Sequence, residues 1–197
     1  MVLSLADLIK EEDSNFVRGS CAMLLKNFDL AQSAFLSSNN PQAALDMRRD
    51  LQHWEEALQL AARLAPERVP EIAREYAGQQ EFEGNFSGAL SNYERCIQDG
   101  AHILSRDALQ LASGGVARMS IRMGDLRRGI QLATNSPNKM LKLECGEILE
   151  KMKQYSQAGK LYAKGEFWER AAAAFLKAKE WNRVGEVIDK VLFKAIM

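Results

Sequence analysis

Large apolar residues recur along this chain in a fixed phrase: a big side chain, a small one three positions later, and an apolar or aromatic one four positions after that. Phe28, Ala31 and Phe35 spell it, as do Trp54, Ala57 and Ala61, then Phe86, Ala89 and Tyr93, then Leu126, Gly129 and Ala133. Tyr155, Ala158 and Tyr162 repeat it, followed by Trp168, Ala171 and Phe175, and by Trp181, Val184 and Ile188. Offsets of three, four and seven place residues on one face of an α-helix, and no strand-like alternation competes with them. The phrase restarts at 13-residue intervals at positions 28, 41 and 54 and again at 155, 168 and 181, with Pro41 and Ala44 filling the middle slot of the first run. Such a step leaves about nine or ten helical residues and a short turn, so consecutive helices must lie antiparallel. The small residue then lets the adjacent helix approach, and the large ones fill the sides of the contact. Between the two runs the intervals are 32, 40 and 29 residues, room for two helices per unit, as in a tetratricopeptide (TPR) repeat of about 34 residues.

The pattern predicts helices at 3 to 11, 14 to 26, 28 to 37, 41 to 49, 53 to 64, 70 to 82, 85 to 98, 105 to 122, 125 to 134, 138 to 153, 155 to 164, 167 to 178 and 180 to 192. Asn27, Asn40, Gly84 with Asn85, Gly124 with Asp125, Gly165 and Lys179 with Glu180 stand where the chain must reverse and a capping or left-handed residue is needed. Only Pro41, Pro66, Pro70 and Pro137 interrupt a composition rich in helix formers. The expected fold is all-α, a TPR-like α-solenoid of short antiparallel helix pairs, continuous over 1–197 with no linker. Phe28, Ala31, Trp54, Ala57, Phe86, Ala89, Tyr155, Ala158, Trp168, Ala171 and Trp181 are its expected packing residues.

Charge narrows the partners. Lys plus Arg and Asp plus Glu both number 26, which removes the electrostatic case for nucleic acid or an anionic membrane as the main partner. No apolar run approaches the roughly 18 residues of a membrane span, so no stable membrane insertion is expected. Cys21, Cys96 and Cys145 are odd in number and far apart, which speaks against disulfides and structural zinc and for a reducing compartment. No catalytic motif emerges. His53 and His102 belong to no metal-spaced set, GGVARM at 114 to 119 is no phosphate loop, and Glu11, Glu12, Glu55 and Glu56 form adjacent pairs that diverge on a helix. The chain is therefore expected to be no enzyme and to need no cofactor. What remains is Arg48, Arg49, Arg118, Arg122, Arg127 and Arg128, gathered without matching acids beside them. They are candidates for a basic ridge meeting an acidic protein segment or a phosphoinositide, because guanidinium groups bind carboxylate and phosphate bidentately. The competing reading is ordinary surface arginine whose stems cover apolar neighbours.

Several segments carry a family resemblance. SNNPQAALDMRRDLQHWEEALQLAARLAPE, EFEGNFSGALSNYE, GVARMSIRMGDLRRG, CGEILEKMKQYSQAGKLYAKGEFWERAA and EWNRVGEV closely resemble the TPR-like solenoid of a WD-repeat subunit of intraflagellar transport complex A. Stretches such as MRRDLQHW are arbitrary as helix chemistry, which makes the likeness specific. The resemblance implies a scaffold segment, excised from a longer chain with an N-terminal WD-repeat propeller, that serves retrograde ciliary transport, receptor import and cilium assembly. It implies partners among the other complex A subunits and cargo adaptors, and a place in the cilium or flagellum, the ciliary base and the cytoplasm. The propeller and a zinc-binding end known in the family have no counterpart here and are not carried over. Alternatives are a peptide-binding TPR module, which would need converging Lys and Asn residues, and a coat-type vesicle-transport solenoid. An excised solenoid is also expected to expose apolar surface at LSLADLI and VIDKVLFKAIM and to self-associate through those uncapped ends.

Overall fold

Among the described residues, seven adopt the left-handed backbone region: Lys26, Gln52, Gly84, Gly124, Lys153, Glu166 and Lys179. Each stands two positions before the large residue that begins a helix: Phe28, Trp54, Phe86, Leu126, Tyr155, Trp168 or Trp181. In six of these turns the residue between them donates its N–H five positions back, as Asn85 does to the Gln80 carbonyl (2.8 Å) and Gln154 to that of Leu149 (2.8 Å). This is the Schellman closure, and here the residue that ends one helix also opens the next. Asn27, Asn85 and Asp125 additionally cap the following helix by accepting a backbone N–H. Gly165 departs from the expectation: it has φ −84°, and its neighbour Glu166 makes the left-handed turn. Glycine is required at 165 for another reason, since a Cβ there would lie 2.7 Å from the Phe167 ring.

The computed structural model describes residues 13–196, so the helix expected at 3 to 11 and the LSLADLI segment lie outside the described residues. Among the described residues there are twelve α-helices and no strands. They are α1 (Ser14–Leu24), α2 (Phe28–Leu36), α3 (Gln42–Asp50), α4 (Trp54–Leu64), α5 (Val69–Glu83), α6 (Phe86–Gly100), α7 (Arg106–Arg122), α8 (Leu126–Asn135), α9 (Lys139–Lys151), α10 (Tyr155–Lys164), α11 (Trp168–Lys177) and α12 (Trp181–Ile196), with a 3₁₀ turn at Pro66–Arg68. The chain gathers into two compact units, one ending at Tyr76 and the other beginning at Ala77. In the first, α1 to α4 pack in sequence order; in the second, α6 to α12 pack chiefly against their neighbours in sequence. The fold is all-α and solenoid-like, built from short helix pairs.

The small residue of each phrase is the deepest point of its contact. Ala31, Ala57, Ala89, Ala158 and Ala171 are all fully buried. The aromatic seven positions after the opening ring is buried too, as at Phe35, Tyr93, Tyr162 and Phe175. Each of these four rings lies on a glycine of another helix: Phe35 on Gly19, Tyr93 on Gly115, Tyr162 on Gly146 and Phe175 on Gly159. The opening rings behave differently. Phe28, Trp54, Phe86, Tyr155 and Trp168 are only half-buried. Their exposed faces are partly covered from outside: His53 meets Phe28 edge-on at 5.8 Å, Tyr76 stacks on Trp54 at 5.9 Å, and Arg122 lies 4.8 Å over Phe86. Trp181 breaks the expectation of packing, with 66% of its surface exposed.

Candidate functional site

The six arginines do not form a free ridge, because acids distant in sequence meet most of them in space. Arg48 of α3 is 5% exposed. Its Nε donates to Gln32 at 2.7 Å, its Nη2 to Asp29 at 2.6 Å, and its Nη1 meets His53 Nδ1 at 2.9 Å. A guanidinium only donates, so Nδ1 of His53 accepts and the ring proton sits on Nε2. Arg48 thus ties α2 to the start of α4, and its buried head is not available to a partner. Arg49 makes a fork to Glu75 of α5, with Nε at 2.7 Å, and reaches Glu71 at 3.7 Å. The hydrogen bonds Arg49 donates to Glu75 outweigh burial and raise the Arg49 pKa.

In the second unit Arg118 of α7 bridges three helices. Its Nε and Nη2 donate to Glu81 of α5 at 2.7 and 2.9 Å, and its Nη1 to Glu144 of α9 at 3.1 Å. Arg128 pairs with Glu94 of α6 at 2.6 Å. Arg122 is exposed apart from its contact with Phe86. Arg127 is exposed and makes no ion pair among the described residues.

Two clusters of one design organise this unit. In the first, the Tyr93 hydroxyl donates to Glu81 at 2.9 Å while Arg118 clamps the same carboxylate. Burial would push Glu81 up, but hydrogen bonds and charge from Arg118, with the Tyr93 hydroxyl, hold it below the usual carboxylate range. Burial, then the Glu81 charge, pushes the Tyr93 phenol up to about 12. Desolvation acts against the charged Arg118, yet Glu81 more than offsets it and the guanidinium pKa rises. In the second, the Tyr162 hydroxyl donates to Glu150 at 3.1 Å, and Lys177 of α11 bonds the same carboxylate. Lys177 holds Glu150 low, and burial followed by Glu150 pushes Tyr162 up to about 12.

The arrangement around these clusters is suited to packing. A polar recess of about 400 Å³ is lined by Glu81, Arg118, Arg122, Glu144, Glu147 and Lys151, three acids against three bases. A more apolar groove of about 460 Å³ is lined by Ile97, Leu109, Val116 and Leu132 together with Arg106 and Arg128. Burial pushes the Cys145 thiol up to about 12, away from the thiolate a nucleophile requires. Among the described residues no three His, Cys, Asp or Glu side chains gather as a metal site, and no helix is long and apolar enough to cross a membrane.

Reading the arginines alone misses Glu81, Tyr93, Glu150, Tyr162 and Lys177. A signal for four of them does exist: each tyrosine is the seventh-position aromatic of a phrase, with a glutamate 12 residues before it on the preceding helix.

Against known proteins, the chain matches no family model. It is 48% identical over 190 residues to WD repeat-containing protein 19 of Mus musculus, covering 96% of this chain and 14% of that protein. It is 39% identical over 193 residues to WD repeat-containing protein dyf-2 of Caenorhabditis elegans, covering 97% and 14%. Intraflagellar transport protein 172 homolog of Mus musculus is 27% identical over 182 residues, covering 89% and 10%. The crystal structure of BtubC (BKLC) from P. vanneervenii superposes with a TM-score of 0.52 at 13% identity, covering 94% of this chain and 83% of that one, which bears on the fold alone.

Proposed function

The chain is homologous over nearly its whole length to one stretch of WD repeat-containing protein 19, amounting to 14% of that protein, and on that premise we propose that it serves intraflagellar transport as a non-enzymatic scaffold segment. The observation that carries this reading is 48% identity sustained over 96% of the chain, in a fold whose charged clusters are consumed by helix packing. The related intraflagellar transport protein 172 homolog points the same way. In this reading the segment belongs to a complex A subunit of the cilium or flagellum, its ciliary base and the cytoplasm. It contacts other complex A subunits and cargo adaptors during retrograde transport, receptor import and cilium assembly.

The partner surface is drawn from the arginines that remain accessible. Arg122, Arg127 and Arg128 of the second unit are exposed, whereas Arg48, Arg49 and Arg118 hold helices together. The test is co-precipitation of intraflagellar transport proteins from an extract of ciliated cells with the purified chain and with an Arg127→Glu, Arg128→Glu variant. The expected result is specific recovery by the native chain and reduced recovery by the variant at unchanged helicity. Equal recovery overturns these sites; no recovery by the native chain overturns the scaffold reading. The apolar groove beside Arg106 and Arg128 favours a second reading, capture of an acidic peptide, and saturable binding of such peptides to the isolated chain would support it over scaffolding.

A further inference from the structure

Helix α7 turns opposite sides to two different surroundings. Arg118 and Arg122 line the polar recess, while Leu109 and Ser113, each nine positions earlier and so half a turn round the helix, line the apolar groove. The groove lies within the unit, since α7 and α8 each pack on helices both before and after them. Its floor is α7 from Arg106 to Val116, about 15 Å of helix, and its walls are Ile97 of α6 and Leu132 of α8. Ile97, Leu109 and Leu132 are half-buried. Further along the unit the alternate helices α8 and α10 pack together, whereas α6 and α8 make no comparable contact and are joined by the Glu94 to Arg128 ion pair at 2.6 Å.

Two arginines and no acid line this groove. They stand at opposite ends. A Cβ on Gly129 would meet Ile121 and the Ala117 carbonyl, which sets the neighbouring Arg128 beside the C-terminal half of α7, whereas Arg106 opens that helix. Arg128 is held by Glu94. Arg106 is exposed and makes no ion pair among the described residues. The free positive charge therefore sits at one end of an apolar trough. The floor also selects the conformation of what lies on it. The α7 backbone is bonded in its own helical ladder, and along the floor only Gln110 and Ser113 offer polar groups between the arginines. An extended peptide laid there would bury N–H and C=O groups without partners, while a helix brings its own hydrogen bonds and presents only side chains.

We propose that this groove seats an amphipathic helix of a partner protein, about three turns long, whose apolar stripe meets Ile97, Leu109, Val116 and Leu132 and whose carboxylate, at one end of that stripe, meets Arg106. Apolar residues at i, i+4 and i+7 would supply the stripe. The proposal rests on the peptide-capture reading of this groove and names the occupant's form, charge and direction.

The test is fluorescence anisotropy of a synthetic peptide about three helical turns long, stapled as a helix, with leucine at i, i+4 and i+7 and two glutamates at one end. An unstapled peptide of the same sequence with a central proline, which breaks the helix, is the comparison. The stapled peptide should bind the native chain saturably and bind Arg106→Glu and Leu109→Glu at least about tenfold more weakly, both variants keeping their circular dichroism. Arg106 is exposed and unpaired, so its variant folds even if Leu109→Glu does not. The proline peptide should also bind at least about tenfold more weakly. Equal binding of the two peptides overturns the helical occupant and leaves peptide capture standing. Binding of the stapled peptide that survives Arg106→Glu overturns the assigned charge contact and with it the proposal. No saturable binding of either peptide overturns both the proposal and the peptide-capture reading.

Discussion

The Glu81–Tyr93–Arg118 cluster and the Glu150–Tyr162–Lys177 cluster use one plan with different materials. In both, a helix opens with a ring, buries a tyrosine seven positions on, and lets its hydroxyl donate to a glutamate of the preceding helix while a cation from the following helix neutralises the carboxylate. They differ in three parts. Tyr93 lies on a glycine of the following helix, Gly115, whereas Tyr162 lies on one of the preceding helix, Gly146. Arg118 and Glu81 are 21% and 18% exposed, whereas Lys177 is 53% exposed. The turn before the first ring uses Gly84, while the turn before the second forces Lys153 to φ 61°. The plan belongs to the repeat; the strength of each cluster is set by how far water is kept from the ion pair.

The largest effect tests what the clusters share. Tyr93→Ala and Tyr162→Ala should each cost about 3–5 kcal/mol in chemical denaturation, the usual result of emptying a ring-sized core position. If either costs under about 1 kcal/mol, the seated ring is not the common element. The next prediction separates the two. Glu81→Ala leaves the half-buried Arg118 with only Glu144 and should cost about 2–3 kcal/mol, approaching the loss from a broken buried pair. Glu150→Ala frees a solvated Lys177 and should cost under about 1 kcal/mol; equal losses would erase the distinction.

Titration gives a smaller change, since protonation keeps the side chains in place. Both glutamates are held below the usual range, so their contribution is present above the unfolded glutamate pKa and is lost as pH falls through the folded values. Both tyrosines are raised to about 12, so their contribution is complete below pH about 10 and is lost as pH rises towards 12. Melting curves should show loss at both ends, with Glu81→Gln reducing the acid loss more than Glu150→Gln. The smallest effect lies in the turns. Lys153→Gly should stabilise by about 1 kcal/mol and Gly84→Lys should destabilise by a similar amount, because only a residue with a Cβ resists the left-handed region. Matching melting temperatures for either pair of chains would show that these turns carry no strain.

The arginines show where a linear reading stops. Residues 47–50 and 117–128 hold six arginines against two acids, Asp50 and Asp125, which suggests free positive charge. Yet Arg48 reaches Asp29, Arg49 reaches Glu75, and Arg118 reaches Glu81, across 19, 26 and 37 residues. Helix boundaries were more legible, because glycine, asparagine and the ring phrase act within one turn of the chain. Lys179 stands at an expected reversal, but the left-handed Lys26, Gln52, Lys153 and Glu166 are not marked in the sequence. Nothing in their side chains prefers that region, and the two helices they join impose it.

By itself, then, the sequence determined most elements and their inward faces: the phrase marks seven of the twelve described helix starts, and within its two runs the 13-residue clock sets where the next one begins. Both are local, resting on helical periodicity and on how closely a small residue admits its neighbour, and both act only where the phrase stands. Only the tertiary structure decided which opening rings are covered and which, like Trp181, face water, and which arginines are spent as internal ties. Those outcomes depend on a third helix arriving beside a pair, and a charge or a ring carries no record in its own segment of what will be packed against it.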